Sequence, residues 1–313
     1  MPEAVPRRHW LRDFAWSDGR IVIRKTGIRL ALDGAVAAEI ASWAVYLVIL
    51  AAATARARLR NAPGARLWFA PDRPRPWYMI RGAAMWGGLR MADTAADADA
   101  AFYFDDTTTG LPPDTGVARR FNHACTDISK SRVAEVFEAV FGYPLALDPQ
   151  RSSGEIVEKP ETNGVHAGRI VVAPLPARPG FVYQRVVDTR DDDGCCHDLR
   201  TPCVAGRPVV VWIKTKTPEG RFSINNRSAV LAEPDTVFSD DERARIAEFC
   251  AVMGLDWGGL DILRDRGDGR IYIVDVNKTD LGPVIALSWR DKIVSMERLA
   301  GALRQLVGVH VRA

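Results

Sequence analysis

The sequence predicts a mixed α/β and α+β fold: a small α/β unit, then a larger α+β region, with a helical extension in front. Three observations carry this. Two short apolar runs, Arg66-Leu-Trp-Phe-Ala70 and Ala101-Phe-Tyr-Phe104, bracket a helical stretch from Tyr78 to Met91, the pattern of a βαβ unit. From Gly154 onward, short runs rich in Val and Ile follow one another at strand length. Further on, Trp257-Gly-Gly-Leu-Asp-Ile-Leu-Arg264 and Arg270-Ile-Tyr-Ile-Val-Asp-Val-Asn277 flank a turn rich in Gly and Asp, which reads as a β-hairpin.

Taken in order, residues 1–65 form an N-terminal extension dominated by one helix. Ile40 to Ala55 carries no charge and is bounded by Glu39 and Arg56. It falls short of the roughly 18 residues of a membrane span, so a buried helix is the expectation and membrane contact through 36–60 the alternative. Arg56, Arg58 and Arg60 suit the helix C-terminus or a lipid headgroup. The α/β unit spans 66–120, with a Pro-containing loop from Gly110 to Gly116 near its end. The third unit, 121–187, opens with a helix from Ser129 to Phe141. Val133, Val136, Phe137, Val140 and Phe141 make its apolar stripe, Asp127 or Ser129 caps it, and Gly142 and Pro144 stop it. Strands follow at Glu155–Pro160, Arg169–Ala173 and Phe181–Val187.

The fourth unit, 188–313, begins with a hairpin of Asp198–Val204 and Pro208–Lys216 around Ala205-Gly206. Thr217-Pro-Glu-Gly220 has the composition of a type I turn. Ser239-Asp-Asp-Glu242 is a capping box, opening a helix that Gly254 ends. The Asp-rich hairpin comes next, then a final helix from about Ser295 to Leu306.

Composition is that of a globular protein: 47% hydrophobic and 26% charged. A net charge of +3 is too small to indicate nucleic acid as a partner. The first 20 residues lack the apolar core of a signal peptide, and five cysteines make no even disulfide framework, so reduced thiols in the cytoplasm are expected. Cys195-Cys196-His197 with Cys203 matches no common zinc spacing.

The Asp-rich hairpin holds the most informative residues. A turn centred near Asp268 sets Asp261 across from Asp275. Strict alternation puts Asp275 and Asn277 on one face with Ile271 and Ile273. Two carboxylates and an amide oxygen then converge within one strand spacing, roughly 5 Å. Such hard oxygen donors suit Mg²⁺, with phosphate oxygens completing its shell. The alternative is a solvated hairpin, which an Asp inside an apolar strand fits poorly. Upstream, Lys159 ends a strand and is followed by a loop with Gly164 and Gly168, a pattern that lets backbone N–H groups approach an anion. Lys130 lies in the first turn of its helix, where a cation opposes the dipole unless an anion binds nearby.

In this order — helix-start Lys, strand Lys with a glycine loop, Tyr183-Gln-Arg-Val-Val187, Asp198-Leu-Arg200, then Asp261 and Asp275-Val-Asn277 — the pieces resemble the ATP-grasp superfamily, which includes D-alanine–D-alanine ligase and glutathione synthetase. The resemblance covers about residues 120 to 285, extends to 66–115 by topology alone, and does not reach 1–60. It implies a fold of two α+β subdomains gripping a nucleotide. It implies ATP as cofactor, with one or two Mg²⁺ held by Asp261, Asp275 and Asn277. Lys130 and Lys159 would contact the phosphates, and Asn163 to Gly168, with Gly164, would cover them. Gln184, Arg185 and Val187 would form the hinge at the adenine, with Asp188 or one of Asp191 to Asp193 at the ribose. Arg200, with Lys214 or Lys216, would face the transferred phosphate. Lys278 would meet a substrate carboxylate and Asp280 a substrate amine.

Two positions depart from the family pattern. Asp275 stands where Glu is usual, and Arg185 stands where the hinge usually carries an acid. The implied activity is ligation of a small carboxylate to an amine through an acyl phosphate. A kinase acting on a hydroxyl and a non-catalytic nucleotide-binding partner are the alternatives, and a homodimer is compatible with the chain.

Overall fold

The computed structural model describes residues 13–23, 29–31, 33–60, 64–164, 167–218, 220–222 and 226–308. Val165 and His166 of the glycine loop and Glu219 of the expected turn lie outside them.

The N-terminal extension differs from its sequence reading in two ways. First, it contains a small antiparallel sheet of β1 (Phe14–Ser17), β2 (Arg20–Ile23) and β3 (Arg29–Ala31). The β1–β2 turn is Asp18-Gly19, with φ of 52° and 70°. A two-residue turn with both φ positive matches the twist of a hairpin, and Asp-Gly is a preferred pair for it. Second, helix α1 (Gly34–Arg60) is not the buried helix expected. Tyr46, Leu50 and Thr54 form a buried edge at i, i+4 and i+8, but only 17% of Ile40–Leu59 is buried and Val48 is 69% exposed. The run is apolar on every side, while the described protein covers only one. By length and composition this stretch could also cross a membrane.

Next comes a four-stranded parallel sheet in the order β5 (Arg90–Met91), β4 (Arg66–Pro71), β6 (Ala100–Phe104), β7 (Arg120–Phe121). Helix α2 (Met79–Trp86) connects β4 to β5. Strand β6 is buried along its whole length, which explains its uninterrupted apolar sequence.

Helix α3 (Lys130–Phe141) starts at Ser129, whose side chain accepts from Arg132 N, and ends at Gly142 with φ 78°. A three-stranded antiparallel sheet follows, with β8 (Gly154–Pro160) between β10 (Phe181–Arg185) and β9 (Arg169–Ala173). The largest sheet has six strands: β14 (Ser228–Ala232), β13 (Val211–Lys216), β11 (Cys196–Val204), β15 (Trp257–Arg264) and β16 (Ile271–Asn277) in that order, with β12 (Arg207–Pro208) paired to β11. Helix α4 (Pro234–Val237) is one turn. Helix α5 (Asp240–Met253) carries the complete capping box of Ser239 and Glu242. Helix α6 (Trp289–Leu306) begins earlier than the sequence suggests because Ser288 caps it, accepting from Asp291 N.

Packing divides the six-stranded sheet by face. Leu199, Cys203, Leu260, Ile262, Ile271 and Ile273 face α3 and α5 in one core. Helix α3, grouped by sequence with β8–β10, therefore packs on the large sheet. Val204, Trp212 and Trp257 lie in a second core with α2 and α6. The rest of the large sheet's second face carries charge and meets the small sheet across a cleft.

Candidate functional site

Alternation places the charges. On β11, Leu199 and Cys203 turn into the α3–α5 core, so Asp198 and Arg200 turn away from it. On β13, Val211 and Ile213 do the same, leaving Lys214 and Lys216 on the cleft face. The ladders align Asp198 with Lys214 and Arg200 with Asp261. Lys216 Nζ lies 2.7 Å from Asp198. Sequence reasoning gave Asp198 no role, although the same alternation that selects Arg200 also selects it.

The hairpin pairs Asp261 with Asp275, as its turn predicts. The face is the opposite of the one expected. Register shifts by one residue between Asp261 and Ile262, so Ile262 pairs with Ile273 and β16 bulges at Val274. A bulge inserts one unpaired residue and inverts the parity beyond it. Ile271 and Ile273 thus stay in the core, while Val274 and Asp275 both line the cleft beside Asp261.

Both carboxylates are held by cations. Asp275 Oδ1 accepts from Lys130 Nζ at 2.6 Å, and Lys130 also donates to Asn163 Oδ1 at 2.8 Å. Asp261 accepts from Arg200 Nη1 at 2.7 Å and from Lys214 Nζ at 3.2 Å. Burial alone would raise the pKa of the Asp261 carboxyl, but Arg200 and Lys214 outweigh it and hold the carboxyl well below the usual range. Among the described residues no group of three or more His, Cys, Asp and Glu is placed to hold a metal. The donor set is two carboxylates facing each other, with Asn277 two positions beyond Asp275. It suits an ion that takes its other ligands from phosphate rather than an all-protein cage.

The small sheet supplies the other wall. Lys159 of β8 makes no hydrogen bond or ion pair with any described residue, and desolvation pushes its ammonium down to about 8. Asp275 and Asp261 oppose that shift in part. Gln184 of β10 is 1% exposed and lines the same cleft, yet neither its amide nitrogen nor its amide oxygen has a partner. A buried amide left unsatisfied on both atoms disfavours the protein alone and calls for a ligand with a donor and an acceptor. An adenine edge has that pair, and a phosphate suits the free ammonium. Both observations therefore fit a nucleotide. Gln184→Leu is expected to raise the stability of the free protein by about 1 kcal/mol and to weaken ATP binding, as read by thermal denaturation and calorimetry.

Gly164 has φ 78°, and Gly168 packs so closely on Phe222 that a Cβ would lie 3.0 Å from its ring. Asn163 ties the start of this loop to Val276 O and to Thr108 Oγ1. At the hinge the Arg185 guanidinium lies 4.7 Å over the Tyr272 ring and bonds the Tyr272 hydroxyl. Its Nη2 is also 3.9 Å from Asp265 and its Nη1 3.9 Å from Asp268. Arg185 thus has partners in the β15–β16 turn. The Val187 carbonyl accepts from Arg221, which lines the cleft and which the sequence did not single out. Asp188 is engaged by Arg190, whose hydrogen bonds lower the carboxyl pKa to about 2, the other causes being weaker.

Of the sequence-selected residues, the cleft brings together Lys130, Lys159, Gly164, Gly168 and Gln184 with Arg185, Val187, Lys216, Asp261 and Asp275. Arg200 and Lys214 reach it through Asp261. Lys278 does not line it. Its side chain is 1% exposed, its Nζ has no hydrogen-bond partner, and it lies 4.5 Å over the Tyr103 ring, so it is not placed to meet a substrate carboxylate. Asp280, 2% exposed, bonds Arg200 rather than facing open space for an amine.

No protein-family model matches the chain, and no curated protein matches it. Solved structures do. The ATP-grasp ligase PsnB complexed with minimal precursor, Mg and ADP is matched with a TM-score of 0.51 at 13% identity, over 77% of this chain and 97% of that one. PsnB complexed with precursor peptide PsnA2 and AMPPNP is matched with a TM-score of 0.50 at 14% identity, over 79% and 99%. Together with the two sheets facing across one cleft, these matches show that the chain has the ATP-grasp fold.

Proposed function

We propose that the protein is an ATP-dependent carboxylate–amine ligase that works through an acyl phosphate. The observation that carries this reading is the Lys159 ammonium, without a hydrogen bond or ion pair among the described residues, set opposite the Asp261–Asp275 pair in the cleft that also holds the Gln184 amide, likewise without a partner among them. Anionic phosphate on one side and a divalent ion on the other would satisfy all of these groups together. PsnB, which shares the fold, is described in complex with Mg and ADP, and this is consistent with the same ligands here.

In this reading Lys130 and Lys159 hold the phosphates, under the loop that begins at Asn163 and includes Gly164 and Gly168. Gln184, Arg185 and Val187 border the base, and Asp188 lies towards the ribose. Asp261, Asp275 and Asn277 would hold one or two Mg²⁺, which would supply charge neutralisation to the phosphates. The substrate carboxylate oxygen attacks the γ-phosphorus and ADP leaves. An amine then attacks the acyl carbonyl and phosphate leaves. Arg200, Lys214 and Lys216 face the transferred group and stabilise the charge it develops, so the protein's task is positioning and electrostatics.

The test is ADP release from Mg-ATP across paired panels of carboxylates and amines, with mass analysis of products. A pair that releases ADP and yields its condensation product supports the ligase. Mg-ATP binding without ADP release from any pair would make the chain a nucleotide-binding partner instead.

A further inference from the structure

The Arg200 guanidinium is gripped from two sides. Nη1 donates to Asp261 Oδ2 at 2.7 Å, and Nη2 donates to Asp280 Oδ1. The two acids are not equivalent. Asp261 lines the cleft and is shared with Lys214, whereas Asp280 is 2% exposed and lies on the segment that follows β16. The Asp280 backbone is fixed as well, since its carbonyl accepts from Met79 N at the start of α2, 3.0 Å away. Its second oxygen has no hydrogen-bond partner among the described residues and rests against Gly259, where a Cβ would collide with it. The same Cβ would sit 3.0 Å from Arg200 Nε. Glycine at 259 therefore leaves the space in which the two charged groups meet.

A divalent ion held by Asp261 would compete for the oxygens that Arg200 and Lys214 hold. An arginine with Asp261 as its sole anchor would then lose that partner and be repelled by the ion. We propose that Asp280 is a positioning residue, which keeps the Arg200 guanidinium facing the transferred phosphate while Asp261 is engaged by metal and nucleotide. Asp280 touches neither substrate nor metal in this role. It acts through Arg200, as an outer-shell carboxylate orients an inner group. The inference rests on the ligase reading above and replaces the substrate-amine role that the sequence resemblance gave Asp280.

The isosteric Asp280→Asn variant tests it, alone and combined with Arg200→Gln. The expected result is a fall in kcat of about 10–100-fold with an ATP KM near that of the unaltered protein. In the Arg200→Gln background the same change should have less than about a twofold further effect, because residues acting as a unit are not additive. A structural readout accompanies the kinetics. The Arg200 Nη2–H signal in ¹⁵N NMR is expected to be protected from solvent exchange in the Mg-ADP complex and to lose that protection in Asp280→Asn. Gly259→Ala, which displaces the carboxylate without removing its charge, should give the same two effects. An equal loss of kcat in both backgrounds, a rise confined to the amine KM, or unchanged protection at Arg200 would overturn the proposal. Calorimetry separates this from failure of the ligase reading: an unaltered protein that binds no Mg-ADP overturns both, whereas one that binds it with Arg200 unaffected by Asp280→Asn overturns only this inference.

Discussion

Asp275→Asn is expected to lower kcat on the order of 10²–10³-fold while the protein stays folded. The substitution preserves shape and an oxygen that can accept from Lys130, but it removes the charge that faces Asp261 across the ladder. A metal held by two carboxylates would then have one. The free protein is expected to melt a few degrees lower, because the Lys130 ammonium, 9% exposed, loses its ionic partner at a cost of about 1–3 kcal/mol. Steady-state kinetics and a thermal melt check the two parts. Asp275→Glu is the informative companion. It keeps the carboxylate on a longer arm, and it is expected to keep turnover if the bulge at Val274 leaves room for the extra methylene.

Lys159 gives the second large effect. Lys159→Met is expected to weaken Mg-ADP binding about 10–100-fold, the loss of one charge-assisted hydrogen bond of about 1.5–3 kcal/mol. Its pH dependence is equally specific. Burial pushes the ammonium from 10.5 down to about 8 in the free protein. Bound phosphate favours the charged form, so affinity is full below about pH 8 and falls as the pH rises through that value. The free protein behaves in the opposite sense. Between about 8 and 10.5 the unfolded chain holds a proton at this lysine that the folded chain has released, so stability rises with pH across that window. Lys159→Arg carries a fixed charge and is expected to bind Mg-ADP with no step near pH 8. Calorimetry from pH 7 to 9.5 on the three proteins checks this.

What the sequence revealed about the site follows from which features are local. The pairing of Asp261 with Asp275 was legible because a short Gly- and Asp-rich turn sets hairpin register. The face was not, because the bulge at Val274 lies within Ile-Val-Asp, where nothing marks an extra residue. The capping box of α5 and the Gly142 stop of α3 were legible because capping is fixed within four residues. The α1 error has the reverse cause. An apolar run reports that it avoids water, and not how many sides its own protein covers. Asp18-Gly19 is a local signal for the β1–β2 hairpin, weaker than the helix pattern that follows it. Charge partners across sheets, such as Arg185 over Tyr272 or Arg221 on Val187 O, join residues 87 and 34 positions apart, and no local pattern encodes them.

The departure at Arg185 is the point on which sequence and structure together say most. An arginine in place of a hinge acid reads, on sequence alone, as a weakened nucleotide site. In the fold it is stacked on Tyr272 and directed towards two aspartates of the hairpin turn, so it links the strand bearing Gln184 to the hairpin bearing Asp261 and Asp275. The cleft's two walls are thereby joined beside Gln184, and again where Lys130 bridges Asn163 and Asp275.

The central claim is that a carboxylate is phosphorylated in this cleft, and hydroxylamine trapping tests it most directly. With Mg-ATP, a carboxylate substrate and hydroxylamine in place of the amine, the expected result is hydroxamate formed in step with ADP, dependent on Mg²⁺ and reduced on the order of 10²–10³-fold in Asp275→Asn. Release of ADP in step with substrate consumption, but without hydroxamate, would contradict an acyl phosphate and assign the phosphate to a hydroxyl acceptor.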